Sequence, residues 1–340
     1  LAFFSAQRES FNEAKIYYKK VIELDPKYWR AYNNLGNVYR RIEEYNQAIS
    51  FYKKTIEINP KHYEAFNSMG VALRENQQYE EAKKALNHVI KLKPEFAEAH
   101  YNLGNVLSLL GNNKNSIHHQ KLAIALDPNS VVFLQSLLFY INYSPDMSAE
   151  EIFEYYKQYD HRFGLPHKDK WKPFAQPKVP KSKLKIGYVS PDFRDHSMMR
   201  FLLPTLAHHD HHKFEIFAFA ELENEDKVSQ EYKSYVHHWI RTDKMKDDEL
   251  AQKIRDMGID ILFDAAGHTS NSRLTVFAQK PAAVSLSWWV GYGYTTGLSA
   301  IDYFLTDKFM APKGSEHLFS EKLWRLNRYA SIWIPKKNNM

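Results

Sequence analysis

The sequence contains no cysteine. Disulfides, thiolate metal sites and cysteine nucleophiles are therefore excluded, and a reducing compartment, by default the cytoplasm, is compatible. No run of eighteen apolar residues occurs, so no membrane-spanning helix is expected. The opening LAFFSAQRESFNEAKIYY lacks the basic, apolar and small-residue order of a secretory leader, and with no initiator Met it reads as the start of a fragment. A GxSxG elbow and a phosphate-cradling GxxxxGK[ST] loop are also missing, which removes ordinary serine hydrolases and P-loop NTPases. No D-x-D carboxylate pair is found, which argues against a metal-held nucleotide diphosphate.

What is present begins with a small basic excess. Lys plus Arg exceed Asp plus Glu by 46 to 40, and much of that excess sits in PHKDKWKPFAQPKVPKSKLK, residues 166–185, with seven lysines, four prolines and one acid. That composition reads as a solvated linker rather than a nucleic-acid surface. HHDHH, residues 208–212, offers no i, i+4 histidine pair with a third ligand and reads as a solvated turn rather than a zinc site.

The first third is periodic. Gly36, Gly70 and Gly104 fall 34 residues apart, as do Ala14, Ala48 and Ala82, and Pro26, Pro60, Pro94 and Pro128. This is the tetratricopeptide (TPR) pattern of paired helices. Small residues let the two helices of a repeat approach, and proline ends the second helix. Residues 1–132 are assigned to a helical solenoid of about four repeats, the first of them truncated. Such a solenoid offers a concave groove to extended peptides. Asn33, Asn37, Asn67 and Asn102 lie on or near first helices, where they would hydrogen-bond a peptide backbone, although asparagine on an exposed helix face needs no function.

Residues 133–183 read as a helical connector and basic linker. Ser148 and Glu151 form a capping box before Ile152, and the stripe Phe153, Tyr155, Tyr156, Tyr159 and Phe163 is core-like. From Leu184 the pattern becomes α/β: LKIGYV, FEIFAFA, HHWIRT, IDILFDA, AVSLSWW and IDYFLT as strands, with helices near 197–208, 226–237, 247–257 and 271–279. This alternation predicts a Rossmann-like parallel sheet over 184–340, with ligand-binding residues just beyond the strand carboxyl ends.

Four strand ends carry chemistry: SPDFRDHS (190–197), DAAGHTSNSR (264–273), WWVGYGYTTG (288–297) and TD (306–307). His196 would sit at a helix N-terminus, where a neutral imidazole can act as a general base. Taken alone, a histidine or Asp192 at such a turn is more often a cap or surface residue. Gly291, Gly293 and Gly297 only approach a dinucleotide fingerprint and follow the wrong strand, which disfavours a dehydrogenase.

TPR repeats followed by KIGYVSPDFRDHS and GHTSNSRLTVFAQKPAAVSLSWWVGYGYTTGLSAIDYFLTD resemble the O-linked N-acetylglucosamine transferase and SPINDLY family of protein glycosyltransferases. The resemblance implies a GT-B architecture of two Rossmann-like lobes, of which 184–340 would be the N-terminal half, contacting acceptor and sugar. It implies inverting, metal-free transfer with no cofactor beyond the nucleotide-sugar donor, UDP-GlcNAc or GDP-fucose. Catalysis would fall to His196 and Asp192, and sugar or acceptor contacts to His268, Thr269, Tyr292, Thr295, Thr296 and Gly297. Protein acceptors would be the partners, with pairing through the solenoid, and neither nucleic acid nor membrane. Two departures stand out: Gly293-Tyr294 replaces the family's Pro-Gly, and Arg200 occupies the place of a second histidine found in animal members. The first leaves a non-catalytic TPR adaptor as a rival reading.

Overall fold

The computed structural model describes residues 11–174, 181–288 and 294–327. The chain divides into two compact units, Leu1–Ser144 and Pro145–Met340. The residues read as a connector are thus shared out, the helix Val131–Ile141 with the first unit and the helix Ala149–Tyr159 with the second.

The first unit is a stack of helices: α1 (Phe11–Leu24), α2 (Trp29–Arg41), α3 (Tyr45–Ile58), α4 (Tyr63–Glu75), α5 (Tyr79–Leu92), α6 (Ala97–Leu109), α7 (Asn113–Leu126) and α8 (Val131–Ile141). The 34-residue register has a direct packing cause. A Cβ added to Gly36, Gly70 or Gly104 would lie 2.7 Å from Tyr52, Leu86 or Gln120 on the second helix of the same repeat. Only glycine allows the two helices that close. The helices α1, α3, α5 and α7 all stop two residues before their proline, as loss of the N–H and the bias on the preceding residue require.

Within each repeat the turn between helices reverses through a left-handed residue: Glu43 (φ 64°), Gln77 (φ 59°) and Gly111 (φ 76°). In each, the following N–H reaches back to the carbonyl of Tyr39, Leu73 or Leu107 at 2.8–2.9 Å, closing a Schellman motif. Two of the three positions lack the glycine that this conformation favours. Gln77→Gly is expected to raise stability by about 0.5–1 kcal/mol, since the left-handed strain of a Cβ is removed; urea denaturation measures it.

The second unit is built on a seven-stranded sheet in the order β3-β2-β1-β4-β5-β6-β7, every pairing parallel. Its strands are β1 (Leu184–Ser190), β2 (Phe214–Ala220), β3 (His238–Arg241), β4 (Ile261–Asp264), β5 (Val284–Ser287), β6 (Tyr303–Asp307) and β7 (Lys322–Leu326). Around it run α9 (Ala149–Tyr159), α10 (Met199–Ala207), α11 (Lys227–Ser234), α12 (Asp247–Asp256) and the single turn α13 (Leu274–Phe277). The strand β7 goes beyond the six expected strands. The helix expected over 271–279 shrinks to one turn because Asn271 (φ 60°) and Lys280 (φ 48°) adopt left-handed backbone at its two sides. The core centres on Ile186, Tyr188, Phe193, Leu202, Ile216, Ala218 and Trp288.

The order reverses direction between β1 and β4. Chain leaving β1 goes to one side of the sheet and chain leaving β4 to the other, so a crevice opens at their carboxyl ends. That crevice is where SPDFRDHS and AGHTSNSR emerge.

HHDHH is largely the exposed turn expected, with two of its histidines engaged. His209 bonds the buried Tyr188 hydroxyl through Nε2 at 2.8 Å, and His211 meets His237 at 3.2 Å. Among the described residues no group of three potential ligands forms a metal site, and no helix is long and apolar enough to cross a membrane.

Candidate functional site

The turn after β1 is anchored by a single aromatic residue. Phe193 is fully buried, edge-on to Tyr232 at 5.2 Å and tilted against Trp239 at 5.4 Å. Its carbonyl accepts the Ser229 hydroxyl at 2.8 Å, and the Asp195 N–H donates to Asp226 Oδ2 at 2.7 Å. Asp226 and Ser229 form the capping box of α11, so the N-terminus of that helix fixes the shape of the β1 turn.

Held this way, the turn exposes His196 above Asp192. The His196 side chain is 40% exposed and Asp192 is buried, with Nδ1 3.5 Å from the Asp192 carboxylate. Nδ1 also faces the Met198 N–H at 3.3 Å. The two neighbours select opposite tautomers. Accepting from Met198 leaves the proton on Nε2, whereas donating Nδ1–H to Asp192 frees the Nε2 lone pair to act as a base. Burial pushes the Asp192 carboxyl up, and the charges of His196 and Arg194 pull it back down. A half-ångström approach would turn the 3.5 Å spacing into a charge-assisted hydrogen bond, and catalytic hydrogen bonds are often this loose without substrate.

The turn after β4 is organised by a residue the sequence reading passed over. Asp264, buried at the strand end, accepts the N–H groups of Ala266 and Gly267 at 3.1 Å and the Ser287 hydroxyl of β5 at 2.8 Å. Gly267 (φ 58°) turns the chain. The Thr269 hydroxyl donates to the Ala266 carbonyl at 2.9 Å and is only half-buried. Arg273, at the end of the same segment, is taken up by Glu221, Asp247 and the carbonyls of Thr242 and Met245.

His268 lies inside, not on a sugar-facing surface. Its ring stands perpendicular to Tyr159 at 4.6 Å and edge-on to Tyr156 at 5.3 Å, both on α9. Nε2 donates to the Thr296 carbonyl at 2.7 Å, and Nδ1 is buried without a partner. Burial holds its pKa down at about 4, so the neutral ring is a structural donor. The sign of the linkage follows. Between pH 6.5 and 4 the unfolded chain binds a proton that the folded ring refuses, so this contribution is complete above pH 6.5 and lost as pH falls toward 4. The expected loss is on the order of 3 kcal/mol by pH 4, measured as the pH dependence of unfolding in the parent minus that in His268→Gln.

Thr295 and Thr296 are likewise turned inward. Both are buried and give their hydroxyl hydrogens to Glu321 at the start of β7. A sugar contact from this loop would therefore come from backbone atoms, with Gly297 (φ 81°) at its bend. Tyr292 and Gly293 lie outside the described residues. Glu321 had no signal in the sequence except an acid directly before an alternating KLWRL run.

In the solenoid, Asn37 Oδ1 accepts the Tyr52 hydroxyl at 2.7 Å within one repeat, and Asn102 Nδ2 donates to Asn67 Oδ1 at 3.0 Å between repeats. Asn102 is buried, so it is a tie between repeats rather than an exposed groove residue. Asn33 keeps a buried carbonyl oxygen with no partner.

These features match known proteins. Tetratricopeptide repeat profiles cover residues 29–62, 51–84 and 97–130, among others. A probable UDP-N-acetylglucosamine–peptide N-acetylglucosaminyltransferase SPINDLY of Solanum lycopersicum is 30% identical over 218 residues, covering 62% of this chain and 23% of that protein. The corresponding SEC protein of Arabidopsis thaliana is 34% identical over 173 residues, 48% of this chain and 17% of that one. A mutant of Thermobaculum terrenum O-GlcNAc transferase superposes with a TM-score of 0.82 at 28% identity, over 91% of this chain and 59% of that structure. The chain thus spans less than a quarter of the length of these curated relatives. Glycosyl transferase family 41 matches residues 161–340, more than half of the chain, and with the switch-point crevice and its two loops already in place the chain belongs to that family.

Proposed function

We propose that this chain carries the repeat solenoid and acceptor-side lobe of a protein O-glycosyltransferase that moves N-acetylglucosamine from UDP-GlcNAc to Ser or Thr hydroxyls. The observation that carries it is the part-exposed His196 imidazole 3.5 Å from the buried Asp192 carboxylate at the sheet's switch point. The relatives, named for UDP-GlcNAc transfer to peptides, favour that donor over GDP-fucose.

In this reading the acceptor hydroxyl approaches His196 Nε2. With Nδ1–H directed to Asp192, Nε2 takes the hydroxyl proton as the oxygen attacks the sugar C1 from the face opposite the leaving diphosphate. The C1–O bond to the nucleotide breaks as the new glycosidic bond forms, inverting the anomeric centre. Asp192 stabilises the imidazolium that results. The backbone of the loop at 295–297 and the Thr269 hydroxyl bound the sugar. Transfer without a metal belongs to the same reading, which the missing D-x-D pair supports, as does a cytoplasmic setting, which the missing cysteine fits. The solenoid presents protein acceptors.

The test is a transfer assay on the full-length gene product with UDP-GlcNAc and GDP-fucose in parallel, read by intact mass of acceptor proteins. A mass gain of one N-acetylhexosamine from the first donor alone is the expected result. Transfer from GDP-fucose would replace the donor, and transfer from neither would leave a protein-binding adaptor.

A further inference from the structure

The Thr295-Thr296-Gly297 loop is held from beneath by one side chain. Glu321 Oε2 accepts the Thr295 hydroxyl at 2.6 Å, and Oε1 accepts both the Thr296 N–H at 2.8 Å and the Thr296 hydroxyl. Thr295 Oγ1 meanwhile accepts the N–H groups of Gly297 at 3.0 Å and Ser320 at 3.1 Å. A hydroxyl has two acceptor lone pairs and one hydrogen. With both lone pairs in use, the Thr295 hydrogen must go to Glu321, and Oε2 must be an acceptor. Oε1 faces two donors and is an acceptor as well. Both carboxyl oxygens are thus used as acceptors; burial pushes the Glu321 carboxyl up, and the hydrogen bonds from Thr295 and Thr296 pull against that.

The same loop is gripped from other sides. The Thr296 carbonyl takes the His268 Nε2–H, and the Leu298 N–H bonds Thr296 Oγ1 at 3.2 Å. Gly297 lies against the Tyr156 carbonyl of α9, and the Ser299 N–H donates to Asp160 Oδ1 at 3.1 Å. Of these supports Glu321 is the one that orients two hydroxyls and a backbone N–H together. A buried carboxylate is a costly way to fill space, and an apolar residue of similar size would be a better filler. What the carboxylate adds is one defined position for the loop.

We propose that Glu321 is a positioning residue for transfer, setting the loop 295–297 at the height where its backbone bounds the sugar, without itself touching substrate. This rests on the reading of the lobe as a glycosyl-transfer site. The diagnostic substitution is Glu321→Gln, which keeps shape and volume. Whichever way the amide is turned, its NH2 confronts a donor, either the Thr295 hydroxyl or the Thr296 N–H, so the loop must move.

In the full-length protein with UDP-GlcNAc and a protein acceptor, Glu321→Gln is expected to lower kcat by about 10- to 100-fold, because small misplacements of reacting groups cost that much. KM for the donor should change far less, and the unfolding midpoint only slightly. Thr295→Val should act in the same direction, and the double variant should be no worse than the poorer single one, since the two residues work as one unit. A kcat per folded molecule within twofold of the parent in Glu321→Gln would overturn the proposal, as would strict additivity. Amide hydrogen exchange gives a readout independent of catalysis. Faster exchange at Thr296, Gly297 and Leu298, with the central strands unchanged, shows the loop released. If the parent itself transfers nothing, the functional reading falls, and unchanged exchange at those amides would remove the clamp as well.

Discussion

Replacing His196 with alanine in the full-length protein is expected to lower kcat for transfer by about 10²–10⁴-fold, the usual contribution of a positioned general base. The side chain is 40% exposed and closes no core contact, so thermal unfolding should be almost unchanged. Asp192→Asn should give a smaller loss in the same assay. An asparagine carbonyl can still accept Nδ1–H, but it cannot stabilise the imidazolium with a charge. The pair separates catalysis from folding, because Asp192 is buried and its replacement also tests the turn. A His196→Ala enzyme with undiminished kcat would leave the histidine as a helix-terminal surface residue and move the base elsewhere in the crevice.

Gly297→Ala carries the largest expected effect on stability. A Cβ there would stand 2.4 Å from the Tyr156 carbonyl oxygen and 2.9 Å from its carbon, at a residue with φ 81°. The obstacle is helix backbone, which cannot rotate aside as a side chain does. A loss of about 2–4 kcal/mol is expected, combining left-handed strain with a forced shift of α9 or the loop. The control is Gly258→Ala, at φ 65° with nothing within 4 Å of the added Cβ. It should lose only the strain component, about 1 kcal/mol. Equal losses in the two variants by denaturant titration would show that the contact with Tyr156 gives way without cost.

Much of this molecule was legible before any coordinates. The glycine, alanine and proline register located the helical repeats, because each residue type answers a local demand repeated every 34 positions. The β-branched and aromatic runs located six of the seven strands to within a residue or two. The seventh, Lys322–Leu326, was missed because it is half-exposed and alternates charge with apolar residues, so it lacks the apolar continuity of a buried parallel strand. The candidate loops were found by the rule that function gathers at strand carboxyl ends, and both SPDFRDHS and AGHTSNSR do emerge at the β1–β4 switch point.

Side-chain direction was a different matter. Composition and spacing place His196, His268, Thr295 and Thr296 at strand ends on equal terms. Only the tertiary structure separates them: His196 is left in the open above a buried acid, while His268 is sealed between two tyrosines and both threonine hydroxyls are turned down onto Glu321. Asn102, one register position on from Asn33 and Asn67, is buried as a tie to Asn67.

The sequence by itself determined the elements and their order, because helix periodicity, glycine contacts and proline stops act over a few residues. The tertiary structure decided which polar groups remain for chemistry. A hydrogen-bond partner 25 or more residues away, such as Glu321 for Thr296 or Thr296 for His268, leaves no local pattern, and burial forces each donor and acceptor to find one.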